Sequence, residues 1–447
     1  MQWENFIMVS KNPYSSSSWS EPIHFKFNGY DPSLFWDDDH HLYLTGAHPW
    51  QLQPGIDQAS INIKTGEVGP IINIWNGTGA LAPEGSHIYK RDGYYYLMIA
   101  EGGTGPNHQV SMARSRHING PYQANPANPV LTNANTTSYF QAVGHADLFQ
   151  DANGRWWACA LAMRTGPDKS CPMGRETVLV PVTWNKGLWP EFAHVSGHMN
   201  GWSLPLTDLV SKGEGSLVNA PDHINFAPNS LLPPHLVHWR LPLQSNYAIS
   251  PRNHPYSLRL KSSVSNLSGH NSSFIGPQNQ TFLARRQTHT LFTYSVSIDA
   301  SSLRVEGQEV GLSAFLDQNS HFDLGIIMLP NSLKLSAPHL RLRGYSALIP
   351  AAAPATVLKE IPAAWLKHPI TMKIQASNLT HYVFSAGPNS APSNMQIIGY
   401  GLALGLSYSF TGTRLGAYAT SNGESKGFKT YISDWNYVGQ GQVVSLL

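Results

Sequence analysis

An all-β architecture is what this 447-residue sequence predicts, and three features lead to it. Charged residues are only 13% of the chain while Gly (38) and Pro (32) are plentiful, so short apolar runs are broken by turn formers at brief intervals. Few stretches carry the 3.6-residue spacing of an amphipathic helix. A strand–turn–strand unit rich in aromatics recurs through the first half. The length suits two or three domains, or one large β domain plus a second.

The recurring unit reads DPSLFWDDDHHLYL at 31–44, EGSHIYKRDGYYYL at 84–97 and HADLFQDANGRWWA at 145–158. The three align without gaps when the turn residues Asp39, Asp92 and Asn153 are superimposed. Each predicts a strand, a tight polar turn and a second, aromatic strand. The first residues, Asp31, Glu84 and His145, are spaced by 53 and 61 residues. A repeat of that size with several strands per unit predicts propeller blades; a sandwich with coincidental hairpins is the other reading. Residues 108–122 supply a further strand and closing turn to the second unit. Residues 5–22 read as the outer portion of an earlier blade, so the propeller is expected to start mid-blade.

In a propeller the innermost strands face a central channel, so matched positions on successive blades converge. Asp31, Glu84 and His145 are therefore expected to share one pocket. Burying an ionisable group unpaired costs several kcal/mol, and such clusters mark functional sites. Two carboxylates around a sugar-sized cavity suggest glycoside hydrolysis, in which a protonated acid serves the leaving oxygen and a second carboxylate activates water or attacks carbon. Glu84, between Pro83 and Gly85 in apolar surroundings, is expected to hold a proton and act as the acid, with the Asp31 charge pushing the same way. Arg175, in MGRET (173–177), is placed to reach the pocket mouth and hold sugar hydroxyls or a carboxylate, or else to pair with Glu176 or another acid at the surface. His145 has three readings open: a metal ligand, a carboxylate partner, or a satisfied channel histidine. Gly102-Gly103-Thr104-Gly105 lacks the Lys of a phosphate loop and reads as a loop near the pocket.

Other classes are excluded or left open by composition. With 29 basic and 27 acidic residues and no basic tract, nucleic-acid binding has no support. Trp (13) and Tyr (19) are abundant, which suits sugar rings as well as an ordinary core. The two cysteines, Cys159 and Cys171, allow one bridge or two thiols and no disulfide framework. Sequons at Asn76, Asn135, Asn266, Asn271, Asn279 and Asn378 suggest a secreted glycoprotein, while MQWENFIMVS shows no signal-peptide pattern. No run approaches 18 apolar residues, so no membrane-spanning helix is expected. Residues 1–207 are assigned to the propeller. Residues 208–236, rich in Ser, Pro, Asn and Gly, read as a linker. Residues 237–447, with alternating runs such as 256–264, 291–299 and 321–329, read as a β-sandwich that is mainly structural.

On these motifs the chain resembles glycoside hydrolase family 43, especially its fungal β-xylosidase and α-L-arabinofuranosidase-like members. The carriers are GYDPSLFWDDD (29–39), APEGSHIYKRDGYYYLMIAEGGT (82–104), GHADLFQDANGRWWA (144–158) and MGRETVL (173–179), with HWRLPL (238–243), FLARRQTHTLF (282–292) and EVGLSAFLDQNSHFDLGI (309–326) in the second half. The resemblance implies a five-bladed propeller followed by a concanavalin-like sandwich, and an inverting hydrolase of terminal xylose or arabinose on xylan, arabinoxylan or arabinan. It implies Glu84 as general acid, Asp31 as the aspartate that tunes the acid's pKa, and Arg175 and His145 as sugar contacts. It requires no cofactor and implies a Ca2+ ion or a water at the propeller centre, beside His145. The family's base is an aspartate well upstream of the tuning one. Before Asp31 this chain has only Glu4 and Glu21 as acids, neither in that context. The expectation is therefore a propeller lacking its first blade and part of the next, an extracellular parent, and impaired turnover or a non-catalytic sugar-binding paralogue.

Overall fold

The computed structural model describes residues 3–203, 220–269, 280–423 and 426–445. The chain forms two compact units, Met1–Met163 with Glu176–Ser211, and Arg164–Arg175 with Lys212–Leu447. The short segment Arg164–Arg175 thus leaves the propeller, to which the 1–207 boundary had given it. Among the described residues no helix is long and apolar enough to cross a membrane.

The first unit is propeller-like. Its described residues form three radial antiparallel sheets and a two-stranded pair, Asn5–Ile7 with Ile23–Phe25. The first sheet runs Tyr30–Trp36, Leu42–Ala47, Ile56–Asn62 and Glu67–Val68, with Ile72–Trp75 also on Ile56–Asn62. The second runs Glu84–Arg91, Tyr94–Glu101, Gln109–Ser115 and Gln123–Ala124, with Leu131–Thr132 on Gln109–Ser115. The third runs Phe140–Gln150, Trp156–Arg164, Glu176–Thr183 and Glu191–Phe192. Adjacent sheets bury apolar faces together. Ala47, Ile56 and Ile74 of the first pack with Ile88, Leu97, Ile99 and Ala113 of the second. Polar ties add direction. Asp37 accepts hydrogen bonds from Lys90 and from Tyr95 Oη (2.7 Å), and Tyr89 donates to Asp147 across to the third sheet.

The second unit is a sandwich of an eight-stranded and a seven-stranded sheet. Alternation places Val310, Leu312 and Ala314, then Phe322, Leu324 and Ile326, in one large core against Tyr294, Val296, Met372 and Trp435. The expected linker is partly strand. Asp222–Ile224 pairs with Lys429–Gly441, Leu236–Val237 pairs with Thr281–Arg286, and Phe226 is in the core. Its residues 208–219 lie outside the described residues, as do the sequons Asn271 and Asn279. Cys159 and Cys171 are free thiols.

Candidate active site

The two inner hairpins of the first unit show how backbone geometry aims the acids. In the first, Tyr30 pairs with Ala47 and Ser33 with Thr45, so Asp31 and Pro32 oppose a single residue in a β-bulge. In the second, Glu84 pairs with Ala100 and His87 with Met98, and the bulge holds Gly85 and Ser86. Asp31, Gly85 and His145 share a left-handed backbone, with φ of 51°, 58° and 51°. Gly85, and not Glu84, is therefore the counterpart of Asp31, and the ungapped alignment is one residue out in the second unit. Turn and ladder differ together: Arg91 pairs directly with Tyr94 around a two-residue loop, whereas the first hairpin spans Asp37 to His41 between Trp36 and Leu42, and the ladder His87–Arg91 is one residue longer than Ser33–Trp36. Left-handed Asp and His are uncommon and collect at functional sites.

The shifted register still brings the side chains together. His145 Nε2 lies 4.0 Å from Asp31 Oδ2. The imidazole rests on Gly85, where a Cβ would stand 2.6 Å from Nε2. Ligand atoms of Glu84, His108 and His145 all lie within 4.8 Å of one another. Asp31, Glu84 and His145 are half-buried, and His108 is buried. Arg175 belongs to the second unit. Its backbone N–H donates to Phe410 O (3.1 Å) and its guanidinium stacks on the Phe410 ring at 3.6 Å.

Two residues of the site were missed in the sequence. His108 ends the Gly102–Gly105 loop, immediately before Gln109–Ser115, and was read only as part of a strand. Its Nδ1 bonds Ala142 O at 3.1 Å. Tyr30 hydrogen-bonds Glu84. Burial, then the Glu84 and Asp31 charges and that bond, push its phenol up to about 12, so it stays a donor at any working pH. Its ring lies 5.2 Å from that of Trp3. Removing this donor from the ionised Glu84 carboxylate is expected to raise the acid's proton affinity. Tyr30→Phe should move the alkaline limb of the pH–rate profile up by about one unit, since a hydrogen bond to a charged group contributes about 1.5–3 kcal/mol and a unit is about 1.4 kcal/mol. An unmoved limb would remove Tyr30 from the site.

A half-buried carboxylate near a second carboxylate and two imidazoles is an arrangement that acid-catalysed hydrolysis can use. Comparison with known proteins gives the family. Residues 1–190 match the model for glycosyl hydrolases family 43, and residues 223–437 match that for the β-xylosidase C-terminal concanavalin A-like domain. A non-reducing end α-L-arabinofuranosidase of Bacteroides ovatus is 30% identical over 442 residues, which cover 94% of this chain and 74% of that protein. The chain belongs to glycosyl hydrolase family 43. A xylosidase/arabinosidase of Butyrivibrio fibrisolvens is 39% identical over 206 residues, 42% of this family-43 chain and 38% of that protein's length. The solved xylan β-1,4-xylosidase of Bacillus halodurans superimposes with a TM-score of 0.79 at 25% identity, over 97% of this chain and 81% of that one. The family-43 chain is thus a glycosyl hydrolase by membership, with the propeller-like domain and concanavalin-like domain of that family.

A cation or a water at the centre would have the carboxylates of Glu84 and Asp31 and the imidazoles of His108 and His145 around it. No step below runs through it.

Proposed function

We propose that this chain acts on terminal xylose or arabinose units of hemicellulose, with Glu84 as general acid. The observation that supports this most is the convergence of Glu84, Asp31 and His145 from three sheets. Glu84 gives its proton to the glycosidic oxygen as the C1–O bond breaks. Asp31, a carboxylate beside it, disfavours a second negative charge and keeps the proton on Glu84 until the leaving oxygen needs it. His145 at 4.0 Å steadies the Asp31 charge when protonated.

Water activation is the weak step. Of the acids before Asp31, Glu4 pairs with His24 at 3.2 Å on an exposed strand pair, and Glu21 is exposed. Neither is placed to serve as base, so slow turnover is proposed. Azide attacks C1 without giving up a proton, while the leaving oxygen still takes the Glu84 proton. Azide is therefore expected to accelerate consumption of a nitrophenyl xyloside or arabinofuranoside, regaining part of the roughly 10²–10⁴-fold that base assistance supplies. The product is the glycosyl azide of inverted configuration, read by NMR. Fast hydrolysis indifferent to azide would end the impairment reading.

A second reading, a non-catalytic sugar binder, is favoured by a groove of about 630 Å³ lined by Trp156, Trp157, Trp184 and Trp202 with Arg91 and Arg155. Indole faces beside charged donors suit pentose rings. Calorimetric binding of xylotetraose without any azide product would favour it.

A further inference from the structure

We propose that the tryptophan-lined groove of the first unit is a second sugar site, separate from the Glu84 pocket, and that its ligand is acidic: xylan bearing uronic acid side groups. The xylan backbone rests on the proposed function, while the place of the site and its preference for an anion rest on the groove itself. Binding here accompanies catalysis at Glu84 and does not replace it.

The groove lies far from the acid. Glu84 opens the strand Glu84–Arg91, and Arg91, the last residue of that strand, lines the groove. Seven steps of about 3.3 Å, shortened by the bulge, put the two roughly 20 Å apart. The third sheet runs the same way. On Phe140–Gln150, His145 stands beside Asp31 and Gln150 stands in the groove wall. One end of the inner hairpins carries the carboxylates and the other carries the indoles, so a ligand in the groove leaves the Glu84 cluster unoccupied.

Size and stacking surface suit a short run of sugar rings. The groove measures about 630 Å³, within the roughly 300–1,000 Å³ of small-ligand sites. The rings of Trp156 and Trp184 stand 4.8 Å apart at 57°, and Trp202 adds a ring 5.6 Å from that of Trp157. Trp156 and Trp202 are only partly buried, so part of each ring is open to a ligand. The C–H face of a pyranose packs on such a surface.

Charge chooses among sugars. Arg91 and Arg155 line the groove, and among the described residues no carboxylate does. Arg91 lies over both indoles, 5.6 Å from the Trp156 ring and 5.2 Å from the Trp184 ring. Its Nη2 donates to Trp184 O (2.9 Å) and its Nε to Asp92 Oδ2 (3.4 Å), which leaves Nη1 to face a ligand. Arg155 is exposed and donates through Nη1 to Ser203 O. The neighbouring acids are engaged elsewhere. Asp92 also accepts from Gly187 N (2.7 Å), and Asp151 accepts from Asn153 N (2.8 Å), Arg155 N (3.0 Å) and Trp157 Nε1 (3.1 Å). A neutral sugar offers hydroxyls that both give and take hydrogen bonds. Two guanidiniums without a lining carboxylate suit a group that only accepts, and a carboxylate matches the guanidinium fork.

The test is isothermal titration of the whole chain with xylotetraose carrying one glucuronic acid side group, and with plain xylotetraose. The acidic ligand is expected to bind at least about tenfold more tightly at low salt. NaCl at about 1 M, where screening acts within about 3 Å, should close most of that gap. Arg155→Ala and Arg91→Ala should each narrow it to about threefold or less by weakening the acidic ligand, whereas Trp202→Ala should weaken both ligands alike. Arg91 is partly buried, so the melting of each variant is compared with that of the parent. Equal affinities in the parent, a full gap in both folded arginine variants, or tighter binding of a single-stranded oligonucleotide overturns the site. The same titrations in Glu84→Gln separate the groove from the pocket. A gap that disappears there belongs to the pocket and also overturns the site. A gap that persists there, in a chain whose hydrolysis the substitution leaves untouched, would defeat the proposed catalysis and leave the groove standing.

Discussion

Replacing Glu84 by glutamine is expected to lower hydrolysis of xylobiose or an alkyl xyloside by about 10²–10⁴-fold, the usual contribution of a general acid. A dinitrophenyl glycoside should be affected far less, because its phenolate leaves without a proton. The contrast between leaving groups separates loss of an acid from loss of fold, which would depress both substrates alike. The pH dependence has a definite sign. An acid catalyst works while protonated, so the parent's rate falls as pH rises through the Glu84 pKa. The carboxamide has no proton to lose, and the alkaline limb should vanish in the variant. Asp31→Asn should keep that limb and move it down, since removing the neighbouring negative charge makes the Glu84 proton easier to lose. Equal losses on both substrates, or an alkaline limb unchanged in Glu84→Gln, would take the role of acid from Glu84.

Much of this site is legible in the sequence because hairpins write themselves in short-range code. Polar turn residues between aromatic strands placed all three inner hairpins, and matched positions ahead of those turns brought Asp31, Glu84 and His145 into one cluster. The off-by-one register of the second hairpin is not legible from pattern alone. A two-residue turn and a five-residue turn were aligned through Asp92 and Asp39, and only the bulge pairings and the left-handed backbone of Gly85 reveal the slip. A one-residue slip ordinarily sends side chains to the opposite face. Here the bulge follows Glu84 directly, and the carboxylate still reaches His145. His108 and Tyr30 went unread for a related reason. Each acts through tertiary contact, His108 with Ala142 and Tyr30 with Glu84, at separations that no local pattern encodes. The one available hint was a histidine closing a glycine-rich loop. The Ser- and Pro-rich 208–236 stretch misled in the other direction, because Asp222–Ile224 gains strand character from its partner Lys429–Gly441 and not from its own composition.

The largest stability effect is expected in the second unit, from Glu309 and Asp323, which are fully buried on the non-core face of the seven-stranded sheet. Strand alternation puts Val310 and Leu324 in the core and turns Glu309 and Asp323 away from it. There Glu309 accepts from Tyr418 Oη (2.9 Å), Asn422 Nδ2 (2.8 Å) and Arg341 Nη2. Gly325 makes the space, since a Cβ there would stand 2.7 Å from Glu309 Oε1. Asp323 accepts from Ser313 Oγ (2.7 Å) and Arg343 Nε (3.3 Å), and bonds His321 Nδ1 (2.9 Å). Burial alone pushes the Asp323 carboxyl up, yet His321, Arg343 and Ser313 overcome it and hold it at about 2. A carboxylate depressed in the folded state stabilises fully above its unfolded pKa. Its contribution, roughly 2 kcal/mol, should fade between about pH 4 and pH 2. Glu309→Ala leaves Arg341 beside a buried void with no anion, while Arg343 keeps only Asp323. The expected cost is about 3–5 kcal/mol, a fall on the order of 10 °C in the calorimetric transition of the second unit. Glu309→Leu combined with Arg341→Met should lose clearly less than the sum of its two singles, because apolar packing can replace a buried pair whereas a lone buried charge cannot be left. A Glu309→Ala chain melting within a degree or two of the parent would show that water reaches this face, and that the network is a solvated surface feature and not a buried one.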